Sequence, residues 1–127
     1  MTLTESQVQL ARHMTEAELQ VSVIELAQRL GWLVHAERPA RTKDGWRTPI
    51  QGDRGFPDLV LARYPALIFA EIKTERGRLT VEQGRWQQQL ITRCAVWDGK
   101  KPKIWVMGSY LWRPRDWFSG EIERVLR

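Results

Sequence analysis

The chain has 127 residues, 43% hydrophobic and 28% charged, which suits one domain with a core of its own. No apolar run approaches the ~18 residues of a membrane span, and residues 1–12 are too polar for a secretory signal. A cytoplasmic protein is therefore expected. The single cysteine, Cys94, excludes an internal disulfide and any zinc site of Cys/His spacing; it reads as a buried apolar thiol. A net charge of +5 favours a polyanionic partner.

Residues 1–14 read as an N-terminal tail and residues 15–127 as one domain. Thr15 and Glu18 have capping-box spacing. Leu19, Val23, Leu26, Ala27 and Leu30 recur at helical period until Gly31 ends the helix. Residues 32–36 read as a short apolar strand. His35 near its end is expected to be packed or exposed, with a phosphate contact as the alternative. Residues 37–56 form a long connection holding Pro39, Gly45, Pro49, Gly52 and Gly55. Its Arg38, Arg41, Lys43, Arg47 and Arg54 outnumber Glu37, Asp44 and Asp53. Such a loop suits phosphate contacts; a solvated surface loop is the other reading. Trp46 within it reads as a loop anchor, or as a platform for a base.

Residues 58–63 and 66–73 are two apolar runs about a Tyr64-Pro65 turn, hence a hairpin covered on both faces. Thr80 caps a second helix running to about residue 92, with Trp86 and Leu90 facing inward. Thr80 and Gln83 again have capping-box spacing. Residues 103–107 and 110–113 read as two strands, and residues 116–126 as a terminal helix. Trp32, Trp86 and Trp105 fall in apolar patterns and are expected in the core. The Lys100-Lys101-Pro102-Lys103 stretch reads as a basic turn. The fold class is α/β: a small mixed β-sheet flanked by helices.

The hairpin carries the chemistry. Positions 58 and 71 are symmetric about the gap between Tyr64 and Pro65, so Asp58 lies opposite Glu71, with Cβ atoms roughly 5 Å apart. Two carboxylates so placed repel each other, and under cover they are poorly solvated. A divalent cation relieves both penalties, and hard oxygen ligands suit Mg²⁺ or Mn²⁺. Lys73 shares the face of Glu71, where an ammonium can hold a water or offset charge on a phosphate. Ile72, between them, points to the other face.

Gly55-Phe56-Pro57-Asp58-Leu59-Val60 followed by Phe69-Ala70-Glu71-Ile72-Lys73-Thr74 resembles the PD-(D/E)xK nuclease superfamily. The continuation Glu75-Arg76-Gly77-Arg78-Leu79-Thr80, with Glu82-Gln83, is similar to its VRR-NUC branch. The tail Trp112-Arg113-Pro114-x-Asp116-Trp117 is similar to stand-alone phage and bacterial members. The resemblance implies a restriction-endonuclease-like core. It implies Asp58 and Glu71 as ligands of Mg²⁺, or of Mn²⁺ in its place, with the Ile72 carbonyl assisting, and Lys73 as the catalytic lysine. A helix glutamate in the family pattern falls on Glu16, as a third metal ligand, and glutamines that position the lysine or the scissile phosphate fall on Gln20 and Gln83. Helical phase puts Glu16 on the apolar stripe, Gln20 at its edge and Glu18 away from it; Glu18 remains the other candidate for the helix carboxylate. The family further implies a homodimer acting on branched DNA such as Holliday junctions.

The expected activity is metal-dependent endonucleolytic hydrolysis of phosphodiester bonds in DNA. Arg38, Arg41, Lys43, Arg47, Arg54, Lys100, Lys101 and Lys103 are the expected backbone contacts. A non-catalytic DNA-binding module of the same fold is the alternative. A helix-turn-helix regulator fits less well, because a strand pattern follows the first helix at Trp32.

Overall fold

The α2 helix (Glu16–Arg29) opens on the Thr15–Glu18 capping box and buries Leu19, Val23 and Ala27. At its end Gly31 takes φ +88°. There the Gly31 N–H donates to Gln28 and the Trp32 N–H to Ala27, a Schellman closure in which glycine avoids the Cβ penalty. This computed structural model describes residues 2–36, 40–43, 45–47, 50–90, 93–97, 99–100 and 102–127.

Beyond α2 run β1 (Leu33–Ala36), β4 (Leu59–Arg63) and β5 (Ala66–Ile72), with a separate ribbon of β2 (Ala40–Thr42) and β3 (Gly45–Arg47) between β1 and β4. The α3 helix (Val81–Leu90) leads to β6 (Arg93–Trp97) and β7 (Pro102–Trp112). The main sheet has five strands in the order β1-β4-β5-β7-β6. All neighbours are antiparallel except β5 and β7. The mixed sheet with helices is the α/β class expected.

The hairpin register is the expected one: Leu59 pairs with Ala70 and Arg63 with Ala66. Continued by one residue, it sets Asp58 opposite Glu71. Leu59, Leu61, Ile68, Ala70, Ile72 and Trp112 form one face of the sheet, packed against α2 and the C-terminal Ile122 and Leu126. The opposite face is covered near Phe69 by Phe56, which meets Phe69 and Trp86 of α3 edge-on. The hairpin is covered on both sides because its runs are apolar at odd and even positions alike.

The structure differs from expectation in five places. Part of the expected tail is a helix, α1 (Glu5–His13), with a Thr4–Gln7 capping box. It buries Ala11 and ties Gln7 to the Phe118 carbonyl. The long connection contains the β2–β3 ribbon. The β6 strand was not expected. Residues 103–107 and 110–113 are not two strands but one, β7, which ends at Trp112. Lys103 lies in the strand, as its 103–107 reading expected, and not in the basic turn. The terminal helix is two short ones, α4 (Pro114–Phe118) and α5 (Glu121–Leu126), split where Gly120 takes φ +83°. Among the described residues no helix is long and apolar enough to cross a membrane.

Candidate active site

The end of the hairpin nearest α3 gathers the acids. Asp58 stands just before β4, and its Oδ2 accepts the Ile72 N–H at 2.8 Å. The carboxylate takes the place of a ladder partner that β4 is too short to supply. Glu71 lies opposite with only 3% exposure, the one buried charged side chain among the described residues. Lys73, two residues on, brings Nζ to 3.9 Å from Glu71 Oε1. Ile72 between them is buried in the main core. A strand residue directs its N–H and C=O to the same edge, so the Ile72 carbonyl opens towards Asp58.

Gln83 closes the cluster. Its Oε1 accepts the Thr80 N–H at 2.9 Å, and its own N–H donates to Thr80 Oγ1 at 3.1 Å. Its Nε2 donates to Glu71 Oε1 at 2.7 Å. One side chain both caps α3 and holds the buried acid. Gly55 brings the Asp58 segment against this helix start. It has φ +96°, and a Cβ there would lie 2.5 Å from the Glu82 carbonyl carbon and 2.6 Å from the Gln83 nitrogen. Only glycine lets the two backbones approach so closely.

Burial pushes the Glu71 carboxyl up to about 8, helped by the neighbouring Asp58 charge and a hydrogen bond with Asp58; Lys73 opposes the shift and Glu16 adds to it. Glu16 thus lies within electrostatic reach, although it is exposed at the start of α2. It is the first residue of α2, three positions before the buried Leu19. Glu18 is committed elsewhere, accepting from the Thr15 N–H and hydroxyl. Among the described residues no three acid, His or Cys side chains close into one metal-holding group. Of the expected set, Asp58 is hydrogen-bonded to Glu71, whereas Glu16 acts on it only through its charge, the smallest of the effects on Glu71. Gln20 is half-buried one turn after Glu16.

Sequence reasoning assigned no role to Arg113. Its Nη1 donates to the carbonyls of Thr74 at 2.7 Å, Glu75 at 3.3 Å and Gly77 at 2.6 Å. The Lys73 N–H donates to the Trp112 carbonyl at 3.0 Å. The end of β7 therefore fixes both Lys73 and the turn after it. The signal was the Trp112-Arg113-Pro114 tripeptide, whose target is not readable locally.

The expected backbone-contacting residues are spread out. Arg54 and Lys100 are exposed, as is Lys43 next to the ribbon. Arg41 and Arg47 lie on β2 and β3. Arg38 and Lys101 lie outside the described residues. The side chains of Trp46, Cys94, Lys103 and Trp105 likewise lie outside the described residues. His35 is exposed. Trp32 is buried and donates Nε1 to the Leu126 carbonyl at 2.9 Å. Trp86 is half-buried and donates to the Arg54 carbonyl at 3.0 Å. In comparisons with protein-family models, curated proteins and solved structures, nothing matches the chain.

Proposed function

We propose that the chain is a metal-dependent DNA endonuclease with a restriction-endonuclease-like core, of the VRR-NUC type its motifs resemble. The observation that carries this is the buried Glu71 carboxyl set against Asp58, with the Lys73 ammonium beside them. Two oxygen-only groups crowded together, one stripped of water, fit a hard divalent ion. Asp58 and Glu71 would hold it, with the Ile72 carbonyl on the same edge. Glu16 would add negative charge from outside. Mg²⁺ or Mn²⁺ would supply Lewis acidity towards a phosphate oxygen.

The protein's own groups divide the remaining work. Lys73 orients the attacking water or offsets charge gathering on the phosphate. Gln83 fixes the Glu71 carboxyl through its 2.7 Å bond. Gln20, one turn after Glu16, would position the scissile phosphate or the lysine. Water adds to phosphorus, the bond to the 3′ oxygen breaks, and that oxygen leaves with a proton. The net charge of +5 suits a DNA backbone. Branched DNA is the proposed substrate and a homodimer the proposed working unit, both on the strength of the motif resemblance.

The test is cleavage of four-way junctions, flaps and duplex DNA with Mg²⁺. Asp58→Asn keeps an acceptor for the Ile72 N–H, and Lys73→Met keeps the aliphatic stem. Each should retain the fold and lose at least ~100-fold in rate. Wild-type binding of DNA without cleavage would leave a binding module of the same fold.

A further inference from the structure

Lys73 leads directly into a cleft of about 520 Å³ between the turn at Thr74, Glu75 and Arg76 and the α1 residues Gln9, Arg12 and His13. The α1 side exists because residues 5–13 are helical and Gln9, Arg12 and His13 share one face. Arg12 and Arg76 are both exposed. Among the described residues neither joins an ion pair. The one acid in the wall, Glu75, is already engaged. Its Oε1 accepts the Arg115 N–H at 2.7 Å, and its Oε2 lies 3.2 Å from Arg115 Nε. The turn itself is held by Arg113. The cleft therefore presents two uncompensated guanidinium groups on a fixed frame.

Its position names the occupant. Thr74 follows Lys73, with Cα atoms ~3.8 Å apart, so the cleft begins one residue from the proposed catalytic lysine. A chain with regularly spaced anions reaching that lysine would run along the cleft. Guanidinium forks match phosphate geometry. We infer that the cleft carries backbone phosphates of the DNA strand next to the scissile one, bound by Arg12 and Arg76. This rests on the nuclease reading above and extends it to a strand path along α1.

The test uses the full chain in EDTA and a fluorescein-labelled four-way DNA junction, followed by anisotropy across a salt series. The Arg12→Gln/Arg76→Gln double variant should bind about tenfold more weakly at fixed salt. Its log–log salt slope should fall by about 2, one per lost phosphate contact. Arg12→Lys/Arg76→Lys should restore most of that slope, which a folding defect would not do. Arg29→Gln, removing one positive charge at the far end of α2, should match wild type. A double Gln variant with the wild-type slope overturns the inference, while Mg²⁺-dependent cleavage by the parent protein keeps the nuclease reading standing. A parent protein that binds no DNA overturns both.

Discussion

Gln83 is bound at both ends: its amide oxygen takes the Thr80 N–H, and its amide nitrogen gives a 2.7 Å hydrogen bond to Glu71. The start of α3 and the buried acid of β5 are thus one mechanical unit. Gln83→Ala should lose the cap as well as the bond to Glu71, costing about 1–2 kcal/mol in urea unfolding. Gln83→Glu separates the two roles. Glutamate caps as well as glutamine, so a capping function alone predicts wild-type behaviour. A second carboxylate against Glu71 instead predicts lower stability at alkaline pH and slower cleavage.

Glu71 makes the apoprotein sensitive to pH. Its carboxyl ionises near 4.5 in the unfolded chain and near 8 in the folded one. Below the lower value both states hold the proton, and the stabilising preference is fully present. As pH rises towards 8 the unfolded chain releases its proton first, so this contribution to stability falls, and above 8 it is gone. In EDTA the urea midpoint should decline over that window, and Glu71→Gln should flatten the decline. Divalent ions reverse the sense, because ligation needs the carboxylate. Mg²⁺ binding at neutral pH should release up to about one proton and weaken about tenfold for each pH unit below 8. Calorimetry in two buffers of different ionisation enthalpy reads this directly. Metal affinity that stays flat across the window would contradict it.

The parts legible from sequence are those fixed by local rules. The α2 cap and stripe depend on neighbours within four residues. The Asp58–Glu71 register follows from the centre of a short turn, because pairing in a hairpin is fixed by its loop. Gln83 was readable as a cap, but its bond to Glu71 depends on how α3 crosses the sheet. The α1 helix carried its own Thr4–Gln7 signal; the Phe118 carbonyl that Gln7 reaches lies 111 residues away in sequence. The missed β6 had a local cue too, since Asp98-Gly99 after an apolar run is a hairpin signal. Gly108 falls between the two expected strands, where a Cβ would meet the Tyr110 ring at 2.5 Å. Glycine is present to admit an aromatic neighbour, and β7 runs straight through.

Gly55 and Gly52 form a natural pair of experiments. Both take positive φ, +96° and +94°, but a Cβ at Gly52 meets nothing within 4 Å. Gly52→Ala should cost only the backbone strain, about 1–2 kcal/mol. Gly55→Ala adds a collision with the backbone of Glu82 and Gln83, which cannot rotate away as a side chain can. A loss of about 2–4 kcal/mol is expected in urea unfolding, with a fall in cleavage well beyond that of Gly52→Ala. Equal effects at the two positions would mean that the close approach to α3 is unimportant.

Arg113 gives the sharpest separation between holding a turn and binding substrate. One of its nitrogens serves the three carbonyls of Thr74, Glu75 and Gly77, and the Lys73 N–H is secured by the residue before it. Arg113→Ala strips those carbonyls of their donor at a half-buried site, at a cost of about 2–3 kcal/mol. Arg113→Lys keeps the charge without the planar fork, so it should recover only part of the loss. If the turn positions Lys73, both variants should show faster amide exchange confined first to residues 73–77. Both should also lower kcat with little change in DNA affinity. A pure loss of affinity with kcat intact would instead make Arg113 a phosphate contact, a role its three carbonyl partners leave little capacity to fill.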